Sequence, residues 1–270
     1  MEIFLDKFAK TIKFEASVRQ LYARVFSASL PFYILNEYPK SGGTWIGLML
    51  ADALEVPFPR HCVPKFETSI LHGHLLNPLG LHNVVTVMRD GRDVMVSWYH
   101  HCLFSNEYNN NSHVVERVTK ELGIKDAEDV VGNLSKFIEF TFVKSRQPRF
   151  TWSKFVDTWH DHPGAVLVKY EDFRSDGAAL LADTVLKLAN VQLDPVRAQI
   201  IVDKYSFGNM TGRKTGEEKK NSFLRKGIVG DWKNSFTQES NDIFAHFAGA
   251  QLIKLGYELD TKWAESSKIA

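Results

Sequence analysis

The sequence predicts an α/β fold, a single domain with a central parallel β-sheet flanked by helices. Three observations carry that expectation. Short β-branched runs, NVVTVM at Asn83 to Met88 and AVLVKY at Ala165 to Tyr170, have the continuous apolar character of strands buried on both faces. Segments of helical period separate them, so the chain alternates between the two element types as a parallel sheet requires. A glycine-containing loop, Tyr38 to Thr44, stands where a strand hands over to a helix. With 270 residues, 44% of them hydrophobic, the chain can fill one large core, and residues 1–270 are expected to form one domain.

The elements follow in order. Residues 3 to about 28 place Phe4, Phe8, Ile12, Val18, Leu21 and Val25 at helical spacing, which predicts an amphipathic helix packed through that face. Phe32 to Leu35 reads as a short buried strand, and WIGLMLADALE after Thr44 as a helix. NVVTVM is the second strand, with Asp90 placed to cap the helix RDVMVSWYHHCLF. AVLVKY is the third strand; GAALLADTVLKLAN and PVRAQIIVDKY are helices, and ESNDIFAHFAGAQLIKLGY is a last helix with Gly256 as its C-cap. Two segments break this rhythm and are expected to be lids over the active site, an insertion at 104–150 and a polar loop at 211–226. The loop holds Arg213, Lys214, Lys219, Lys220, Arg225 and Lys226 against Glu217 and Glu218, six bases less two acids, a local +4.

Net charge is +1, so no global field recruits nucleic acid or an anionic membrane, and any anion site must be local. The two cysteines, Cys62 and Cys102, have no ligand-like spacing, which argues against a disulfide framework and a structural zinc. A cytoplasmic setting is the corresponding expectation. Acids and lysines interrupt the opening MEIFLDKFAK, which fits neither a secretory signal nor a membrane span.

YPKSGGTW, Tyr38 to Trp45, puts its lysine ahead of its glycines. A loop between a buried strand and a helix aims backbone N–H groups and the positive end of the helix dipole at an anion. Lys40 adds a charge, Ser41 and Thr44 add hydroxyls, and Gly42 and Gly43 allow close approach. The order is not GxxxxGK[ST], which disfavours a β,γ-phosphate site with magnesium. A solvent-facing turn is the plainer alternative.

The loop resembles YPKSGTTW, the 5′-phosphosulfate segment of sulfotransferases that use 3′-phosphoadenosine 5′-phosphosulfate (PAPS), with Gly43 in place of the first threonine. MRDGRDVMVSWYHH, Met88 to His101, resembles the family's 3′-phosphate segment, with Arg89 and Ser97 at the arginine and serine positions. RKGIVGDWKNSFT, Arg225 to Thr237, is similar to RKGxxGDWKNxFT without a mismatch at its fixed positions, and implies that Arg225, Lys226 and Gly227 close over the 3′-phosphate. The resemblance runs across residues 38 to 237 and implies the P-loop-like nucleotide-binding fold of that family. Taken singly, each segment has a plain reading: Arg89 paired with Asp90 or Asp93, Ser97 as a packing residue, and 225–226 as a free basic loop.

The resemblance implies a division of roles. Lys40 meets the charge developing on the departing 5′-phosphate, and PAPS is the donor, leaving the product 3′,5′-bisphosphate (PAP); no metal is expected. SILHGHLLNP aligns His74 with the family's general base, worth roughly 100-fold, and puts His72 where a lysine is usual. Trp45, Tyr170, Ser206 and Phe207 match positions that hold the adenine, although aromatic residues beside strand ends are commonly core. The partner expected is a small-molecule, lipid or sugar acceptor bearing a hydroxyl or, less often, an amine. The family's dimer pattern KxxxTVxxxE survives only at Lys233 and Thr237, with Gln238 and Asp242 replacing the valine and glutamate, so a monomer or another kind of dimer is expected. A nucleotide kinase or NTPase, and a non-catalytic PAP binder, are the competing readings.

Overall fold

The computed structural model describes residues 18–30, 32–59, 67–105, 111–145, 148–222 and 224–265. Along the chain run a helix α1 over residues 18–26, β1 (Tyr33–Glu37), α2 (Gly43–Leu54), β2 (Ile70–Gly73), β3 (Val84–Met88), α3 (Gly91–Leu103), α4 (Ser112–Leu122), α5 (Val130–Val143) and α6 (Trp152–Trp159). Then come β4 (Ala165–Lys169), α7 (Tyr170–Ser175), α8 (Gly177–Ala189), α9 (Pro195–Lys204), α10 (Phe207–Thr211) and α11 (Gln238–Lys254), with 3-10 turns at Asp231–Asn234 and Thr261–Ala264. These elements group into two compact units. One comprises the described residues up to Tyr38, Gly42–Met88 and Asp161–Tyr205; the other comprises Pro39–Ser41, Arg89–His160 and the described residues from Ser206 on.

The first unit holds an all-parallel sheet in the order β2-β1-β3-β4. Every residue of β3 is buried, so both faces of that strand are covered, as its unbroken apolar run requires. Helix α2 packs on β1 and β2 and against α8 and α9, while α8 also lies on β3 and β4. Parallel pairing brings the carboxyl ends of the strands to one edge, where α/β sheets place their ligands. The apolar pattern of the sequence stops at Leu35, but β1 continues through buried Asn36 and Glu37. Strand β2, ILHG, is absent from the expectation altogether, being four residues long with a histidine and a glycine at its end.

Helix α1 differs from its expected orientation. Tyr22, Ala23 and Ser27 are buried, whereas Leu21 and Val25 are 64% and 55% exposed. The aromatic cluster and the polar ties decide the face: Tyr22 packs on Phe26 and Phe32, Ser27 Oγ donates to Gly80 O, and Arg24 donates to the carbonyls of Asn77 and Leu79. The earlier part of the expected helix, with Phe4, Phe8 and Ile12, lies outside the described residues.

In the second unit α11 packs on α3, α5 and α6 around Phe137, Ile138, Trp152, Phe155, Trp159 and Phe244, all fully buried. Residues 112–143 of the expected insertion form α4 and α5, and α5 turns Leu134, Phe137 and Ile138 inward. The expected caps form: Asp90 accepts from Arg92 N at the start of α3, and Gly256, at φ +73, follows α11. In the 211–226 loop Arg213 turns inward and donates to the carbonyls of Glu217, Leu224 and Arg225. Its charge is spent on the loop's own backbone.

The α1 assignment is testable by urea unfolding. Leu21→Gln and Val25→Gln should each change stability by less than about 0.5 kcal/mol, whereas Tyr22→Ala should cost about 3 kcal/mol.

Candidate active site

In the first unit the end of β1 supplies three fixed contacts. Glu37 is buried, its Oε2 accepts the Gly43 N–H at 2.6 Å, and its Oε1 lies 2.9 Å from His72 Nε2. Its backbone carbonyl lies 2.9 Å from His74 Nδ1. A carbonyl oxygen only accepts, so Nδ1 carries the proton and Nε2 of a neutral His74 is left as the basic nitrogen. Asn36 holds the same stretch from the other side: its side chain donates to Leu75 O at 3.0 Å and accepts from Leu75 N at 2.8 Å. Burial pushes the Glu37 carboxyl up, but the His72 hydrogen bond, the charges of His72 and His74 and the Gly43 N–H outweigh it and hold it below the usual value. Ligating atoms of Glu37, His72 and His74 lie within 4.8 Å of one another. The His72–Glu37 hydrogen bond accounts for that grouping.

The start of α2 is shaped by close approach. Gly42 has φ +97, and a Cβ there would fall 2.5 Å from the Tyr170 ring. A Cβ at Gly43 would fall 2.6 Å from Glu37 Cδ, so this position accommodates the carboxylate. The Gly43 N–H is thus directed to Glu37. Thr44 and Trp45 are buried; the Trp45 indole N–H donates to Tyr205 O at 2.6 Å, and its ring meets Tyr170 edge-on at 5.5 Å.

The second unit carries the remaining expected residues. Lys40 adopts φ +74, in the left-handed region that non-glycine residues rarely take, and its carbonyl accepts from Arg89 Nη1 at 3.1 Å. Ser41 is 1% exposed and its Oγ has no hydrogen-bond partner among the described residues. A buried orphan hydroxyl is costly unless a ligand oxygen meets it. Arg89 Nη2 is 3.9 Å from Asp93, a weak contact, because Asp93 accepts instead from Gly230 N at 2.8 Å and Trp232 N at 2.9 Å. That carboxylate ties α3, which carries half-buried Ser97, to the GDW turn. Arg225 pairs with Glu218 and Asp231, and Lys226 Nζ is 3.0 Å from Asp231 and 3.7 Å from Glu218. Burial alone would raise the Asp231 carboxyl, but these cations and Asn234 bring it down to about 2. Gly227, at φ +64, lies where a Cβ would fall 2.3 Å from the buried Phe207 ring. Ser206 caps α10 by accepting from Asn209 N.

A family model described as the sulfotransferase domain matches residues 51–256. The chain belongs to the sulfotransferase family. Sulfotransferase 1A1 of Bos taurus is 27% identical over 265 residues, covering 80% of this chain and 81% of that protein. The amine sulfotransferase of Oryctolagus cuniculus is 26% identical over 257 residues, covering 77% and 76%. Mouse sulfotransferase SULT7A1, solved complexed with PAP, superposes with a TM-score of 0.65 at 17% identity over 94% of each chain. Retinol dehydratase, solved with androsterone and the inactive cofactor PAP, gives 0.56 at 16% identity over 87% and 85%. At such identities the structural likeness speaks for the fold, the α/β architecture with its central parallel sheet.

As a sulfotransferase the chain has local features of its own. The matched range begins at residue 51, beyond both Gly43 and its partner Glu37. Gln238, at a position of the dimer pattern, donates to Asp242 within the same helix at 2.7 Å. Among the described residues no helix is long and apolar enough to cross a membrane. Sequence reasoning missed the partners of Glu37, the nearby Gly43 N–H and the His72 ring, and those of Asp93, backbone N–H groups far along the chain. The only available signals were an acid closing an apolar strand, YILNE, and a second acid in RDGRD.

His100 is buried near Glu218, with Nε2 4.0 Å from Oε1. Burial first, then the charges of Arg225, Lys220 and Lys226, lower its pKa to about 3 against the opposing pull of Glu218. It stays neutral when folded, while the unfolded chain takes up a proton below about 6.5. Stability supplied by neutral His100 is complete above that pH and is lost as pH falls toward 3. Urea midpoints should therefore drop between neutral pH and moderate acid, and His100→Gln should narrow the drop.

Proposed function

We propose that this sulfotransferase moves the sulfuryl group of PAPS to a hydroxyl, less often an amine, of a small-molecule, lipid or sugar acceptor. The observation that carries the reading is the fixed tautomer of His74, whose Nδ1 proton is committed to the Glu37 carbonyl, which puts the basic lone pair of the neutral ring on Nε2. A chain that only bound the nucleotide has no need of a base held in that way.

In this proposal His74 Nε2 takes the proton of the acceptor oxygen as that oxygen forms its bond to sulfur. The bond from sulfur to the bridging oxygen breaks, and its electron pair stays on what becomes the 5′-phosphate of PAP. Lys40 meets that negative charge, with Ser41 and Thr44 hydroxyls and the Gly42 N–H as further donors. Gly43 contributes room and not a donor, consistent with its bond to Glu37. Arg89, Ser97, Arg225, Lys226 and the Gly227 N–H are assigned to the 3′-phosphate, where guanidinium groups give bidentate geometry. Trp45, Tyr170, Ser206 and Phe207 are assigned to the adenine. The orphaned Ser41 hydroxyl fits an incoming phosphate oxygen.

An apolar alcohol is the favoured acceptor class. Androsterone and retinol occupy the retinol dehydratase structures together with PAP. The amine sulfotransferase among the relatives supports the second, nitrogen-bearing class. A cytoplasmic location belongs to the same proposal, in keeping with the buried Cys102 thiol, which burial pushes up to about 12 and leaves unreactive.

Incubation with PAPS and a mixed acceptor extract should yield products heavier by one SO3 in mass spectrometry. Lys40→Ala and His74→Ala should each lower turnover by roughly 100-fold or more, with His74→Ala retaining PAP binding in calorimetry. Arg225→Ala should weaken PAP by roughly 10–100-fold, as expected for a lost charge-assisted hydrogen bond. An active protein with no measurable affinity for PAP would refute the donor assignment.

A further inference from the structure

We infer that Glu37 is a positioning residue for sulfuryl transfer, a single buried carboxylate that locks the strand bearing the catalytic histidine to the phosphosulfate loop. The inference rests on the function proposed above. Three bonds converge on this one residue: Oε1 with His72 Nε2 at 2.9 Å, Oε2 with Gly43 N at 2.6 Å, and the main-chain carbonyl with His74 Nδ1 at 2.9 Å. His72 and His74 stand two apart at and just beyond the end of β2, with ring centroids 4.9 Å apart. Gly43 is the first residue of α2. Removing the carboxylate therefore frees two donors, one on the histidine strand and one on the loop. A displacement of about 1 Å in such a constellation is enough to cost roughly 100-fold in rate.

Two departures in this region meet at Glu37 and form one co-adapted unit with it. His72 stands where the family resemblance places a lysine, Gly43 where it places a threonine, and Glu37 is the group both of them face. Gly43 has no side chain because Glu37 Cδ occupies the volume, 2.6 Å from where a Cβ would be. His72 supplies an N–H to a buried carboxylate that would otherwise lack half its solvation. The titratable groups facing Glu37 are His72 and His74, both cationic when protonated, and both favour its ionised form. By reciprocity the Glu37 charge favours protonation of His74.

The test uses the full chain and Glu37→Gln, which keeps shape but removes the charge and one acceptor. Turnover should fall by about 10-fold to 100-fold, while the affinity for PAP stays within about threefold, since the 3′-phosphate residues are untouched. The acid limb of the kcat/KM profile should move to lower pH, because His74 loses a neighbouring negative charge. The Gly43 amide proton should lose the downfield NMR shift of a charge-assisted bond. Gly43→Thr should cost about 100-fold in the native background and less than about threefold beside Glu37→Ala, where the volume is vacated. An unmoved acid limb with near-native turnover in Glu37→Gln, or an equal Gly43→Thr penalty in both backgrounds, overturns the inference. If the native chain transfers no sulfuryl group, the proposed function fails instead. The Gly43 amide then still reports whether Glu37 holds the loop, and an unshifted resonance in Glu37→Gln overturns the inference.

Discussion

A strand that ends in polar residues while still buried must find partners for every one of their groups, and this constraint organises the catalytic end of the sheet. Asn36 and Glu37 are as inaccessible as the apolar residues before them. Leaving such donors and acceptors unpaired would cost roughly 1–3 kcal/mol each, more for a charge. Asn36 resolves its share by a two-way bond to the Leu75 main chain, which fixes the path just after His74. Glu37 resolves its share through Gly43, His72 and His74. The same bonds that make the strand end tolerable thus set the ring orientation of His74 and the start of α2.

The second unit solves a comparable problem with cations. Arg225 and Lys226 face two acids, Glu218 and Asp231, and Asp93 gathers the GDW turn through main-chain donors. A protein with a net charge of +1 thereby keeps a local concentration of arginine and lysine in place without mutual repulsion. Arg213 works from inside the loop, holding its carbonyls, and so shapes the basic segment instead of adding to its field.

Much of the fold was legible in the sequence, because β3 and β4 are continuous apolar runs and the helices have clear periods and caps. What escaped was decided by tertiary partners. β2 is too short and too polar to announce itself, β1 extends past its apolar stretch because Asn36 and Glu37 find bonds, and α1 presents Tyr22 instead of Leu21 because an aromatic cluster awaits it. The 104–150 segment looked weakly periodic since its buried positions are shared among several neighbours. For the candidate site, motif spelling proposed Lys40, His74, Arg89 and Arg225. It gave no hint that Gly43 serves Glu37, nor that Asp93 reaches across to residues 230 and 232. Both are bonds to main-chain groups, which carry no residue identity to be read, and those of Asp93 are also long-range.

The left-handed backbone of Lys40 has an evolutionary corollary. A side chain there strains the turn by roughly 1 kcal/mol, which glycine would relieve. With Lys40 in its proposed role, mutational pressure for heat resistance and pressure for sulfuryl chemistry point in opposite directions at one codon. A laboratory lineage screened on melting temperature alone would drift toward glycine there and emerge as a sturdier protein stripped of its ammonium.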